Sequence, residues 1–437
     1  MPASPPPTAP AAVPRTGTAP HTAGGGALLV VGFVLLSLNT RVAFGQIGPL
    51  APVAGFSPAT VSLLGLLPPL CMGAFAPLAA VVRRRLGEER GLWWASLVLV
   101  AGAVLRMAGL PGLFAGTVVV SAATAVVNVL IPVLVRGWFP RERTGTMMGV
   151  YALAMGAGSA LVAALVVPVA QAAGSWRPAV GLAVIPAVLA AAGTAPQVRH
   201  RHRRPVAAPG AGRSGRSGRP HVARTALAWS LTAFFGVQTL AFYTTLAWLP
   251  SILVQTAGLG RAAAGTGQAL LICGVAVGGF AAPVLAARRA DQRPHILGAA
   301  LVCAAGLTGL LLAPAGTALA WVAVLGIGLG AGQALPGVLY AHRGTDHDHV
   351  AALSTMAQTC GFLLAATGPV LAAALHTATG AWTAPLAALV AALLVCAVGG
   401  GGGPPPPPPP APPPRGPPPP PPQPPPPHPQ KPPTPTT

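Results

Sequence analysis

The sequence predicts an all-α membrane protein, with twelve transmembrane helices arranged as two pseudo-symmetric six-helix halves. Three observations lead there. Hydrophobic residues make up 53% of the 437 and charged residues only 7%, whereas a soluble domain carries about 25% charged residues. The apolar residues come in stretches of about 20, the length of one bilayer crossing. Basic residues gather in alternate gaps between those stretches. No segment alternates apolar and polar residues at the length of a barrel strand, which argues against a β-barrel.

Residues 1–26 are rich in Pro, Ala and Thr and read as a disordered N-terminal tail. The first apolar stretch is a full span, longer than the core of a cleavable signal peptide. Spans are expected at 27–50, 60–82, 91–110, 112–135, 145–169 and 177–197, which form the N-terminal half, 27–197. Residues 198–224 are rich in Arg, Gly and Ser and read as a flexible basic linker. The C-terminal half, 225–398, holds spans at 225–250, 263–286, 295–313, 317–340, 350–374 and 382–398. From 399 to 437 the chain is Gly and then mostly Pro, which extends as polyproline and builds no packed core. No function is assigned to that tail.

Loops after the even-numbered spans hold nineteen Arg, against two, Arg177 and Arg261, on the other side. Positive charge marks the cytoplasmic face, so both termini are expected in the cytoplasm. All six acidic residues (Glu88, Glu89, Glu142, Asp291, Asp346 and Asp348) share those loops. The formal charge of +20 is thereby explained by contact with anionic lipid headgroups, and no nucleic-acid partner is expected. Arg far outnumbers Lys beside abundant Ala, Gly and Pro, which suggests a GC-rich bacterial genome and so a bacterial plasma membrane. The five cysteines show no paired spacing and read as small buried apolar residues.

The halves repeat each other faintly. Ala172, Gly174 and Trp176 precede span 6 as Ala378, Gly380 and Trp382 precede span 12. Span 4 carries Asn128 before Pro132, and span 10 carries Gln333 before Pro336. Six spans per half give the repeats the same orientation, related by an axis along the membrane normal.

Taken together, these features resemble the major facilitator superfamily, and within it the cyanate-transporter branch. The resemblance rests on Leu38-Asn39-Thr40-Arg41 and Gly48-Pro49-Leu50 in span 1, Phe75-Ala76-Pro77-Leu78-Ala79 in span 2, and Leu105-Arg106 in span 3. It continues through Asn128 to Pro132 in span 4, Gln238, Phe242-Tyr243 and Leu246 to Pro250 in span 7, and Asp291 to Pro294 after span 8. Met356-Ala357-Gln358 and Gly368-Pro369 complete it in span 11. One departure stands out: the loop after span 2 reads Arg84-Arg85-Leu86-Gly87, with Arg where the family has Asp. The resemblance implies a plasma-membrane secondary transporter working by alternating access, with spans 1, 4, 7 and 10 lining the cavity. It also implies cyanate-like anions or nitro-heterocycles as substrates.

The candidate substrate-binding residues follow from cost. Arg41 lies about 14 residues, roughly 21 Å, into span 1, where a charge costs roughly 2.5–3.5 kcal/mol. No acidic residue lies in any span, so Arg41 reads either as the ligand of an anionic substrate or as a structural Arg satisfied by backbone carbonyls at a helix break. Arg106 sits at nearly the same depth in span 3, either as a second clamp on that anion or as a side chain snorkelling to the interface. The amides Asn39, Asn128, Gln238, Gln333 and Gln358 either bind ligand or join helices. Tyr243 reads as a cavity aromatic or part of the interfacial belt, and Trp248 as belt. Gly149, Gly156 and Gly158, with Gly326 to Gly332, read as close helix packing. His342 to His349 looks like a metal cluster but sits in a loop, and His376 near an outer end is a candidate proton carrier. The spans hold no acid–base or metal constellation, so neither an enzyme nor a cofactor is expected. The expected partner is a small anionic solute, bound by a monomer. A drug-cation efflux carrier and a non-transporting sensor are the alternatives; a cation would meet Arg41 and no carboxylate.

Overall fold

A computed structural model describes residues 23–39, 42–199, 222–289, 291–312 and 315–400. Among these residues the chain is helical almost throughout, with sixteen α-helices. Helices α1 (Ala23–Asn39), α2 (Val42–Gly45) and α3 (Ile47–Ala54) make the first span. The second is α4 (Pro58–Phe75) followed by α5 (Leu78–Leu86). Pro77 lacks the N–H that would continue the ladder and its ring crowds the preceding turn, and the two helices meet at 51°. Then come α6 (Glu88–Leu105), α7 (Gly109–Trp138), α8 (Thr144–Ala172) and the pair α9 (Trp176–Gly181) and α10 (Val184–Arg199). The second half runs α11 (Ala226–Thr256), α12 (Arg261–Ala287), α13 (Arg293–Leu312), α14 (Ala318–Arg343), α15 (His347–Thr379) and α16 (Thr383–Gly400).

Eight described stretches are long and apolar enough to cross a membrane, or nine with the bent pair α4–α5. The remaining three expected spans are α1–α3, which is broken, α6, whose first turn carries Glu88, Glu89 and Arg90, and the short apolar α16. The chain is a multi-pass helical membrane protein of twelve spans. The tails and linker expected from the sequence lie mostly outside the described residues, although α1 already begins at Ala23 and residues 222–224 form a short 3-10 turn.

Small residues let the helices touch backbone to backbone, the usual adhesive where lipid removes the hydrophobic drive. Between α12 and α14, a β-carbon on Gly278 would overlap the Ile327 carbonyl, and one on Gly330 would overlap that of Val275. Gly145 and Gly149 of α8 meet the Pro283 and Phe280 carbonyls of α12, and so join the two halves. Gly156 meets nothing within 4 Å, so that part of the expected stripe does not pack.

Every ion pair described here lies at the end of the bundle that carries the Arg-rich loops. Arg83 of α5 reaches Asp348 of α15 at 2.6 Å and Glu88 at 3.7 Å, and His347 lies 3.7 Å from Glu88. Arg136 of α7 donates to the carbonyls of Ala341 (3.2 Å), Thr345 (2.9 Å) and Gly344 beyond the end of α14. These contacts bind one half to the other at that end. The cysteine expectation is corrected in part. Cys71, Cys303 and Cys396 are buried, but Cys273 and Cys360 are exposed, because an apolar residue in a bundle can face lipid as readily as core.

Candidate functional site

A cavity of about 80 Å³ lies between the halves. Its walls come from α7 and α8 on one side and α11, α12, α14 and α15 on the other. Asn128, Tyr151, Gln333, Tyr340 and Gln358 supply its polar groups, and Met148, Met155, Phe235 and Phe362 much of its apolar surface. None of the lining residues is charged.

Prolines sit inside the helices of the same walls. Pro132 has no N–H for the carbonyl of Asn128, four residues back, and Pro336 has none for Gly332. Each half therefore lacks one regular helix hydrogen bond beside the cavity. The side chains are partly paired. The Tyr151 hydroxyl donates to Asn128 Oδ1 at 2.6 Å, Gln333 Nε2 to Thr239 Oγ1 at 3.1 Å, and Gln358 Nε2 to Ser354 Oγ at 2.9 Å. Two buried wall atoms are left without a partner among the described residues: the Tyr340 hydroxyl and Gln358 Oε1. One can donate, the other only accept.

The structure brings Asn128, Gln333 and Gln358 together around this cavity. It places the others elsewhere. Gln238 is fully buried against Gly332, accepts from Cys303 Sγ at 3.4 Å, and lies outside the wall. Tyr243 stacks edge-on to Phe242 at 5.4 Å and packs against the Met72, Ala125, Phe235 and Phe362 cluster at the seam. Asn39 is buried at the end of α1, with its Nδ2 unpaired. Arg106 is wholly buried and does not snorkel; its Nη1 donates to Gln46 Oε1 at 2.6 Å, away from the cavity wall. Arg41 lies outside the described residues.

Neither His-containing candidate joins the cavity. His376 pairs with Gln255 Oε1 at 3.0 Å and stacks 4.2 Å from Trp382. No group of three metal-ligating side chains occurs among the described residues. In the His342–His349 loop, Asp346 instead caps α15, accepting from the His349 amide at 2.8 Å, and that bond holds its carboxyl below the usual range. Two polar wall residues escaped the sequence reading, Tyr151 and Tyr340. A signal existed: the chain has only three tyrosines, two line this cavity, and the third packs at the seam.

Residues 29–366 match the family described as the Major Facilitator Superfamily. The chain belongs to that superfamily. Among relatives of this superfamily member, the 2-nitroimidazole transporter of Escherichia coli (strain K12) is 35% identical over 82% of this chain and 91% of its own. The cyanate transport protein CynX of the same strain is 25% identical over 79% and 89%. A crystal structure of the transporter FucP in the outward conformation shares the fold, with TM-score 0.65 and 13% identity over 86% of this chain and 97% of that one. The fold and the relatives make this superfamily member a secondary solute transporter acting on a small molecule.

Proposed function

We propose that this transporter carries a small, uncharged, planar solute bearing both a hydrogen-bond donor and an acceptor, by alternating access. The single observation that supports this is the pair of unpaired wall groups. The Tyr340 hydroxyl offers a donor and Gln358 Oε1 an acceptor; both are buried in the wall of an uncharged cavity flanked by aromatic and methionine side chains, and a side-chain rotation presents them to a solute. A buried polar group left unmatched costs about 1–3 kcal/mol, and a ligand that matches both recovers it. A cavity of about 80 Å³ suits a few heavy atoms and is small for a drug-sized cargo. An imidazole-type ring with an N–H and a nitro group has the required pattern, and a relative is a 2-nitroimidazole transporter. Cyanate offers acceptors only and leaves Gln358 Oε1 unmatched. The anion reading rests on Arg41.

The nineteen-to-two distribution of loop Arg supports placing the basic end in the cytoplasm, with both termini there, in a bacterial plasma membrane. With that orientation, the ion pair and hydrogen bonds joining the halves at that end close the cytoplasmic side. The protein acts as a monomer, its basic loops lying against anionic headgroups.

Tracer uptake into proteoliposomes tests the reading. Uptake of 2-nitroimidazole is expected, with KM raised about 2- to 12-fold by Tyr340→Phe or Gln358→Leu, the loss of one neutral hydrogen bond. The N1-methylated probe, lacking the donor, should lose affinity with the wild type and be indifferent to Gln358→Leu. Uptake of cyanate alone, abolished by Arg41→Ala and untouched by the two cavity substitutions, would replace this reading with the anion one.

A further inference from the structure

Arg106 is used by nothing in the central cavity, yet its placement is specific. It ends α6 with no exposed surface, and its stem lies where a β-carbon on Gly116 of α7 would stand. Gln46 holds one edge of the guanidinium, accepting from Nη1 at 2.6 Å. That glutamine is itself fixed, since its Nε2 donates to the carbonyls of Ala179 (3.1 Å) and Val180 (3.0 Å) on α9. The other edge, Nε and Nη2, has no partner among the described residues. Those two N–H groups form the fork that grips an anion side-on.

A buried guanidinium facing only a neutral amide is expensive, by several kcal/mol, unless negative charge accompanies it. The protein has none to give. All six of its acidic residues occupy the Arg-rich loops. Glu88 begins the same helix, and an 18-residue α6 rises about 27 Å between them. Positive potential is reinforced nearby: Nη2 of Arg177 comes within 3.7 Å of where a β-carbon on Gly109 would stand, three residues beyond Arg106.

We propose that Arg106, backed by Gln46, holds a small monovalent inorganic anion inside the N-terminal half, apart from the transport cavity. The ion is a resident counter-ion that ties the α2–α3 joint to α6 and α9. Complete burial of the side chain excludes a lipid headgroup, and the two unpaired N–H groups have no accessible surface, so the packing around them opens to admit a small ion. The inference does not depend on what the cavity carries.

The test uses purified full-length protein in detergent, exchanged into gluconate buffer. Radiolabelled chloride in equilibrium dialysis is expected to bind at one ion per chain in the wild type and to be lost in Arg106→Gln. The wild-type melting temperature should rise saturably with chloride, nitrate or cyanate, while Arg106→Gln stays flat. Arg106→Lys keeps the charge without the fork and should bind chloride at least tenfold more weakly; it serves where the Gln variant fails to fold. Absence of any bound ion in the wild type, or a Lys variant with the wild-type curve, overturns the proposal. Binding of 2-nitroimidazole by Arg106→Gln, measured in parallel, reports on the cavity separately.

Discussion

Gln238 and Gln333 stand on neighbouring helices and have opposite surroundings. Gln333 lines the cavity and donates to Thr239. Gln238, one residue before Thr239 on α11, is buried against α13 and α14. Successive helical residues diverge by about 100°, so one residue separates the position that touches the wall residue Gln333 from a position packed against α13. The amides on spans 4, 10 and 11, which line the cavity, stood out in the sequence because a polar group is costly in an apolar span. The orientation of Gln238 did not, because α11 is apolar on nearly every side and offers no stripe to set its rotation. Gln238 therefore separates the roles: Gln238→Leu removes an Nε2 that has no partner. Its melting temperature should stay level or rise, with 2-nitroimidazole uptake kinetics unchanged. A KM change like that of Gln358→Leu would return Gln238 to the site.

At the scale of helices, small residues and caps decide how the elements meet. Gly330→Ala would drive a methyl into the Val275 carbonyl in the α12–α14 contact. Overpacking of this kind costs typically 1–3 kcal/mol, and a lowered unfolding midpoint in detergent should register it. Gly156→Ala meets open space and is expected to be silent in the same assay. Asp346 gives α15 its N-cap through the His349 amide. Its carboxyl is held below the usual value, so the stabilisation is present at neutral pH and fades as pH falls through the lowered value. Asp346→Ala should cost about 0.5–2 kcal/mol at pH 7 and flatten the acid limb of the stability profile. An unchanged acid limb would show that the cap does not titrate with folding.

Across the whole molecule, the halves are joined at the basic end by reversed chemistry. Arg stands where the family's loop after span 2 has Asp, and Arg83 beside it finds its acid on the other half, Asp348. Arg83→Asp and Asp348→Arg should each weaken that closure, and the double exchange should restore it. Because Asp348 is 80% exposed, the coupling is expected to be below about 1 kcal/mol. Transport by the single and double variants measures it, and strictly additive effects would remove the pair from the closure. Arg136, with its three carbonyl acceptors, is the heavier tie, and nothing in its loop sequence distinguished it from its basic neighbours.

The number of crossings, their common direction in the two halves and the clustering of charge at one end follow from amino-acid order alone. In lipid, every backbone polar group must be satisfied inside its own helix, so apolar length and basic loops suffice to read them. Which side of each helix faces lipid, a neighbour or the cavity was settled by packing. Lipid and protein core are equally apolar, so composition cannot tell Cys273 from Cys303 or foresee that Tyr340 and Gln358 share one wall. Only the close approach of glycine-bearing helices turns those faces together and leaves two polar atoms waiting between the halves.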